Sequence, residues 1–137
     1  MGLVLVQLPP NFQLDLDRLR GFCELWGSDV RLCFEFRHAS WFHDGVLELL
    51  RKHNVALCIS DSESVGPSEQ HFDPEKWATA DFCYARLRRE SYAEAELSAW
   101  RDRLRRTGCK EAYVYFKHEL LGPTYALRFN QLCENAS

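Results

Sequence analysis

Five short apolar runs punctuate the chain: Leu3 to Leu8, Arg31 to Arg37, Val55 to Ser60, Asp81 to Arg88 and Ala112 to Lys117. Each has the length and the aliphatic or aromatic content of a strand. Between them the apolar residues recur at helical spacing. Leu19, Phe22, Cys23 and Trp26 fall at i, i+3, i+4 and i+7, and Gly27 follows as a stop signal. Val46, Leu49, Leu50 and His53 share one side of a second helix, with Asp44 or Ser40 as its expected cap and Asn54 beyond its end. Leu97, Trp100 and Leu104 mark a third helix that stops at Gly108. Ala126, Phe129, Leu132 and Cys133 mark a fourth after Pro123, a residue suited to a first helical turn.

This alternation predicts an α/β fold whose parallel strands are joined by crossover helices. The exception is the polar connection from Asp61 to Ala80, where Pro74 to Trp77 has room for one helical turn. One domain is expected over residues 1–133, followed by a short tail at 134–137.

In parallel α/β folds ligands gather at the carboxyl ends of the strands. Here those ends read Gln7-Leu-Pro-Pro10, Glu35-Phe-Arg-His38, Ser60-Asp61, Arg86-Leu-Arg88 and Lys117-His-Glu119. The second is the most informative. Strand alternation puts Leu32, Phe34 and Phe36 on one face and Cys33, Glu35 and Arg37 on the other. Burying a carboxylate and a guanidinium side by side is costly unless they satisfy each other or a ligand. Glu35 and Arg37 are therefore expected to form either a site wall or a structural ion pair.

With 46% hydrophobic and 27% charged residues, the 137-residue chain is composed like a single globular domain. A formal charge of -3 gives no general attraction to nucleic acid or to anionic membranes. Arginines at 86, 88, 89, 101, 103, 105 and 106, with Tyr92 and Trp100 among them, are the one basic concentration. Such mixing can bind single-stranded nucleic acid, but Glu90, Glu94, Glu96 and Asp102 dilute it and favour a solvated helical face.

No apolar run approaches the roughly 18 residues of a spanning helix, and the N-terminus lacks a signal-peptide pattern, so the expected compartment is the cytosol. The cysteines at 23, 33, 58, 83, 109 and 133 are too far apart for CxxC motifs and are expected to be reduced packing residues. The histidines at 38, 43, 53, 71 and 118 show no His-x-His or Glu-x-x-His spacing, so no metal site is expected. Trp41, Phe42, Trp77 and Trp100 read as packing residues.

An ordered set of motifs runs through nearly the whole chain: Gln7-Leu-Pro-Pro-Asn-Phe12, Glu35-Phe-Arg-His-Ala-Ser-Trp41, Ser60-Asp61-Ser62, Ala80-Asp-Phe-Cys-Tyr-Ala-Arg86, Tyr92, Trp100 and Tyr113-Val-Tyr-Phe116. In this set the chain resembles the YecE-like proteins, uncharacterised TIM barrels also called domain of unknown function seventy-two. A TIM barrel takes about 250 residues and eight strands. The resemblance therefore implies the C-terminal part of that barrel: a partial TIM-type barrel of about five parallel strands alternating with helices. A fragment lacking three strand-helix units is expected. Where family members read Arg-Leu-His-Gly this chain has Arg86-Leu-Arg-Arg89, and where they tend to have asparagines it has Lys117-His118.

Within a barrel the strand phase points Gln7, Glu35, Arg37, Ser60, Tyr84, Arg86, Tyr115 and Lys117 inward. Adding His38 and Asp61 at the strand ends gives the candidate ligand-binding set of Gln7, Glu35, Arg37, His38, Asp61, Tyr84, Arg86, Tyr115 and Lys117. Its cationic excess points to a small anionic ligand bearing phosphate or carboxylate. Glu35 is the candidate catalytic acid or base. No pattern names a cofactor, and the sequence leaves open whether the chain is an enzyme. The competing expectation is a non-catalytic fragment or interaction module that self-associates through exposed sheet edges, Leu3 to Leu8 foremost.

Overall fold

The computed structural model describes residues 2–27, 29–61, 74–89, 91–116 and 122–135. Five strands, β1 (Leu3–Gln7), β2 (Arg31–Glu35), β3 (Ala56–Ser60), β4 (Phe82–Leu87) and β5 (Glu111–Phe116), lie side by side in chain order. Every neighbouring pair is parallel. The sheet curls into half of a barrel; the parallel α/β order is what the strand-helix alternation predicts, and the partial barrel is what the family resemblance implies. Its helices are α1 (Leu16–Leu25), α2 (Asp44–Lys52), the one-turn α3 (Pro74–Trp77), α4 (Glu94–Arg106) and α5 (Gly122–Asn135).

Side-chain alternation along the strands separates two kinds of core. On the helix-facing side, Leu32, Phe34 and Leu57 pack with Leu19 and Cys23 of α1 and Val46 and Leu50 of α2. Ile59, Cys83, Ala85 and Leu87 pack with Leu97, Trp100 and Leu104 of α4 and Phe129 and Leu132 of α5. The opposite residues, Cys33, Ala56, Cys58, Phe82 and Tyr84, fill the concave face. Each fully buried Leu, Val or Phe contributes about 1.5–3 kcal/mol, so the apolar alternation drives the chain into layers. Trp41 and Trp100 are completely enclosed, as packing residues should be.

At the base of the concave face Arg31 reaches from β2 to β5. Its guanidinium donates to the Tyr113 hydroxyl at 2.5 Å and to the Glu111 carboxylate, and lies 5.2 Å from the centre of the Phe82 ring. This contact between non-adjacent strands requires the curl.

The helix ends follow the sequence expectations except at the cap of α2. His43, rather than Asp44 or Ser40, caps α2: its Nδ1 accepts from the Gly45 amide at 3.0 Å. Asp44 becomes the first helical residue, where its charge favours the positive end of the helix dipole. Ser40 instead accepts from the Leu14 amide at 2.8 Å. Beyond α2, Asn54 takes a left-handed φ of 54° and exchanges two hydrogen bonds with Asp81, at 3.0 and 2.8 Å. After α4, Gly108 turns the chain with φ 73°.

The cysteines need correction. Cys83 and Cys109 form a disulfide, with Cα atoms 6.2 Å apart. Their sequence separation of 26 hides the pairing, which arises because β4 and the turn after α4 run side by side. Cys23, Cys33, Cys58 and Cys133 are free thiols. Among the described residues no helix is long and apolar enough to cross a membrane.

Candidate functional site

Glu35 ends β2 on the concave face, in register with Gln7 of β1. Its carboxylate collects donors from three strands and the loop after β4. Arg86 Nη1 donates to Oε2 at 2.7 Å and Arg88 Nη2 to Oε1 at 3.2 Å. Gln7 Nε2 donates to Oε1 at 3.3 Å and the Cys58 thiol to Oε2 at 3.5 Å. The side chains of Glu35, Arg86 and Arg88 are only 10%, 15% and 23% exposed, so water screens them weakly. Burial by itself raises the Glu35 pKa. The Arg86 hydrogen bond, the charges of Arg86 and Arg88 and the Gln7 hydrogen bond outweigh it and hold the carboxyl below its ordinary range.

Two guanidiniums therefore face the Glu35 carboxylate. In addition, the Arg88 Nε–H is buried and has no acceptor among the described residues. Buried donors normally have partners, and this one is free to take an acceptor oxygen.

A second carboxylate aims Arg88. Asp61, just past β3 and fully buried at its side chain, accepts from the Arg88 amide at 2.7 Å and from the Tyr92 hydroxyl. The Tyr92 oxygen in turn accepts from the Arg89 amide at 2.9 Å. These bonds fix the chain leaving β4 and turn the Arg88 guanidinium back toward Glu35. Burial first, then the bond to Asp61, pushes the Tyr92 hydroxyl well above the usual phenol range, so it remains a donor.

The floor of the site is made of Cys33, Cys58 and Tyr84. Burial, then the neighbouring Cys58, raises the Cys33 thiol far above its ordinary value. Burial chiefly pushes Tyr84 up to about 12. Tyr115, half exposed on β5, lies against Tyr84 with ring centres 5.2 Å apart.

Of the residues that the sequence nominates, Gln7, Glu35, Tyr84 and Arg86 come together on this face, and Tyr115 borders it. Asp61 joins through Arg88. Arg37 does not join: β2 ends at Glu35, the alternation stops there, and Arg37 is exposed. Phe36 is drawn instead into a stack with Trp41, ring centres 4.8 Å apart. The expected Glu35–Arg37 pair is thus replaced by Glu35 with Arg86 and Arg88.

His38 is also spent locally, its Nδ1 accepting from the Ser40 amide at 3.1 Å to cap the 3-10 turn Ala39–Trp41. Lys117 lies outside the described residues. Arg88, Cys58 and Tyr92 are the residues that the sequence reading missed. Extending the alternation Tyr84, Arg86 past the strand end would have found Arg88. The solvated-face reading fails for it, and Arg89 pairs with Glu96 at 2.6 Å while also lying 3.9 Å from Asp61. Among the described residues no three or more His, Cys, Asp or Glu side chains are grouped to hold a metal ion.

A family model described as Protein of unknown function DUF72 matches residues 1–137. The chain belongs to the DUF72 family. This is the family of the YecE-like resemblance. The DUF72 chain is similar in structure to a DUF72 family protein from Thermotoga maritima, with a TM-score of 0.76 and 24% identity, covering 96% of this chain and 57% of that one. It is also similar to a DUF72 family protein from Enterococcus faecalis, with a TM-score of 0.73 and 18% identity, covering 95% and 60%. At these identities the likeness is one of fold. The chain spans less than two thirds of the length of either solved protein. No curated protein matches it significantly.

Proposed function

We propose that the strand-end face of this DUF72 half-barrel binds a small anion bearing phosphate or carboxylate, held by Arg86 and Arg88 beside Glu35. The observation that carries this reading is the buried Arg88 Nε–H without an acceptor among the described residues, next to two guanidiniums sharing one carboxylate. An unmet buried donor costs about 1–3 kcal/mol, which an anionic oxygen would offset, and arginine's planar fork suits such groups. Glu35, ionised at neutral pH, can take up a proton but has none to give, so its catalytic role would be that of a base.

Thermal unfolding tests the reading. Inorganic phosphate or citrate, compared with chloride at matched ionic strength, should raise Tm saturably in the natural chain and not in Arg88→Gln. Equal shifts in both, or none in the natural chain, refute it. The same reading includes a cytosolic location, supported by the three buried free thiols Cys23, Cys33 and Cys58. The Cys83–Cys109 disulfide argues the other way, since disulfides are uncommon there.

A second reading rests on the open edges. Among the described residues β1 and β5 each pair with one strand, and they expose Val4 at 38% and Tyr115 at 51%. Unpaired edges template association, so this chain would self-associate through them. Sedimentation of the isolated chain should give dimers or larger species; a monodisperse monomer at tens of micromolar counts against it.

A further inference from the structure

Cys58 differs from the other thiols in what it meets. Cys23 is buried in packing, Cys33 shares the floor but has no exposed surface, and Cys133 lies on α5. Cys58 lies in the floor of the strand-end face, and its thiol donates to Oε2 of Glu35 at 3.5 Å. Arg86 donates to that same oxygen at 2.7 Å. A thiol, a carboxylate able to accept its proton and a cation able to compensate the sulfur's charge are thus joined at a single atom. A nucleophile, its base and a charge-stabilising group are the components that covalent catalysis by cysteine requires.

We propose that Cys58 is the nucleophile of this face and that its substrate is a small carboxylate- or phosphate-bearing molecule with an electrophilic carbon. The inference rests on the anion-binding reading above. Arg88 takes the substrate's anionic group through its open Nε–H, which sets the reacting carbon over the floor. The sulfur's electron pair then forms the S–C bond as the leaving group departs with its own bonding pair. The thiol proton passes to Oε2 of Glu35 and from there to solvent. Glu35 and Arg88 touch the reacting groups. Asp61 and Tyr92 are positioning residues, acting through the Arg88 amide and the chain that follows it.

Iodoacetate and iodoacetamide differ in charge and share the same reacting carbon, with iodide as the leaving group. The test measures the rate of modification of each cysteine in the folded full chain, by mass spectrometry, with the two reagents at equal concentration. At Cys58 the iodoacetate-to-iodoacetamide rate ratio should exceed that of free cysteine by about tenfold, the effect of one charge-assisted contact. Inorganic phosphate should slow the iodoacetate reaction. Arg88→Gln should return the ratio to that of free cysteine, and Arg88→Lys, which keeps the charge, should retain part of it. Cys33, with no exposed surface, reports folding, because it reacts only in a chain that has opened.

If Cys58 stays unmodified while Cys133 reacts and phosphate still raises Tm, the nucleophile is wrong and the anion site stands. If the Cys58 ratio equals that of free cysteine and phosphate neither protects nor stabilises, both readings fall.

Discussion

Glu35→Gln isolates the charge at the centre of the site, because it keeps the shape of the side chain and one acceptor oxygen. Arg86 and Arg88, 15% and 23% exposed, would then face a neutral amide. Removing one partner of a buried ion pair costs about 3–5 kcal/mol. The retained acceptor argues for the lower end, about 3 kcal/mol. With a urea slope of about 2 kcal/mol per molar for a domain of this size, the unfolding midpoint should fall by about 1.5 M at pH 7.

Phosphate should restore part of that loss by supplying the missing charge, as much as about 2.7 kcal/mol at a hundred times its Kd. The pH dependence has a defined sign. The folded pKa of Glu35 is depressed, so its contribution is complete above the unfolded value of about 4.3 and is lost as pH falls through the lower folded value. Natural and variant stabilities should therefore converge under acid conditions. A loss below about 0.5 kcal/mol at pH 7, or a gap that stays constant down to low pH, would refute the reasoning.

Reducing the Cys83–Cys109 bridge, which closes a sequence separation of 26, should destabilise the chain by about 3.5 kcal/mol on the loop-closure relation. Reductant should lower the urea midpoint of the natural chain and leave Cys109→Ser unchanged; equal responses would contradict the assignment. Tyr92→Phe removes the hydroxyl between Asp61 and the Arg89 amide and should cost about 1.5–3 kcal/mol. It should also weaken phosphate binding, because Arg88 loses its fixed approach; unchanged affinity would deny Tyr92 a positioning role. Gly108→Ala meets no atom within 4 Å but must adopt a φ of 73°, so chemical denaturation should reveal a cost of about 1 kcal/mol from backbone strain alone.

The layering of this fold was legible because alternation is a backbone property. Leu32 and Phe34 had to share one face and Glu35 the other, whatever the chain does elsewhere. The same period correctly aims Arg86 inward. It misleads at Arg37 because the period holds only while the strand lasts. Where β2 stops depends on the Phe36–Trp41 stack and the His38-capped turn, which are contacts made in space. Arg88 shows the converse. It lies past the end of β4, and it reaches Glu35 because Asp61 and Tyr92 hold the backbone there, through partners 27 and 31 residues apart in sequence.

Cysteine spacing was similarly silent. It rules out CxxC spacing, but neither the Cys83–Cys109 bridge nor the Cys58–Glu35 contact can be read without the strand register. The composition of the site was thus partly visible, and its pairing was not.

The central claim is that Arg86 and Arg88 hold a further small anion beside Glu35. Isothermal titration of inorganic phosphate into the natural chain and into Arg88→Gln, at fixed ionic strength, measures it directly. The account predicts saturable binding at one site per chain, weakened at least tenfold in the variant, the effect of losing one charge-assisted contact. Absence of binding, or equal affinity in the two proteins, would contradict it.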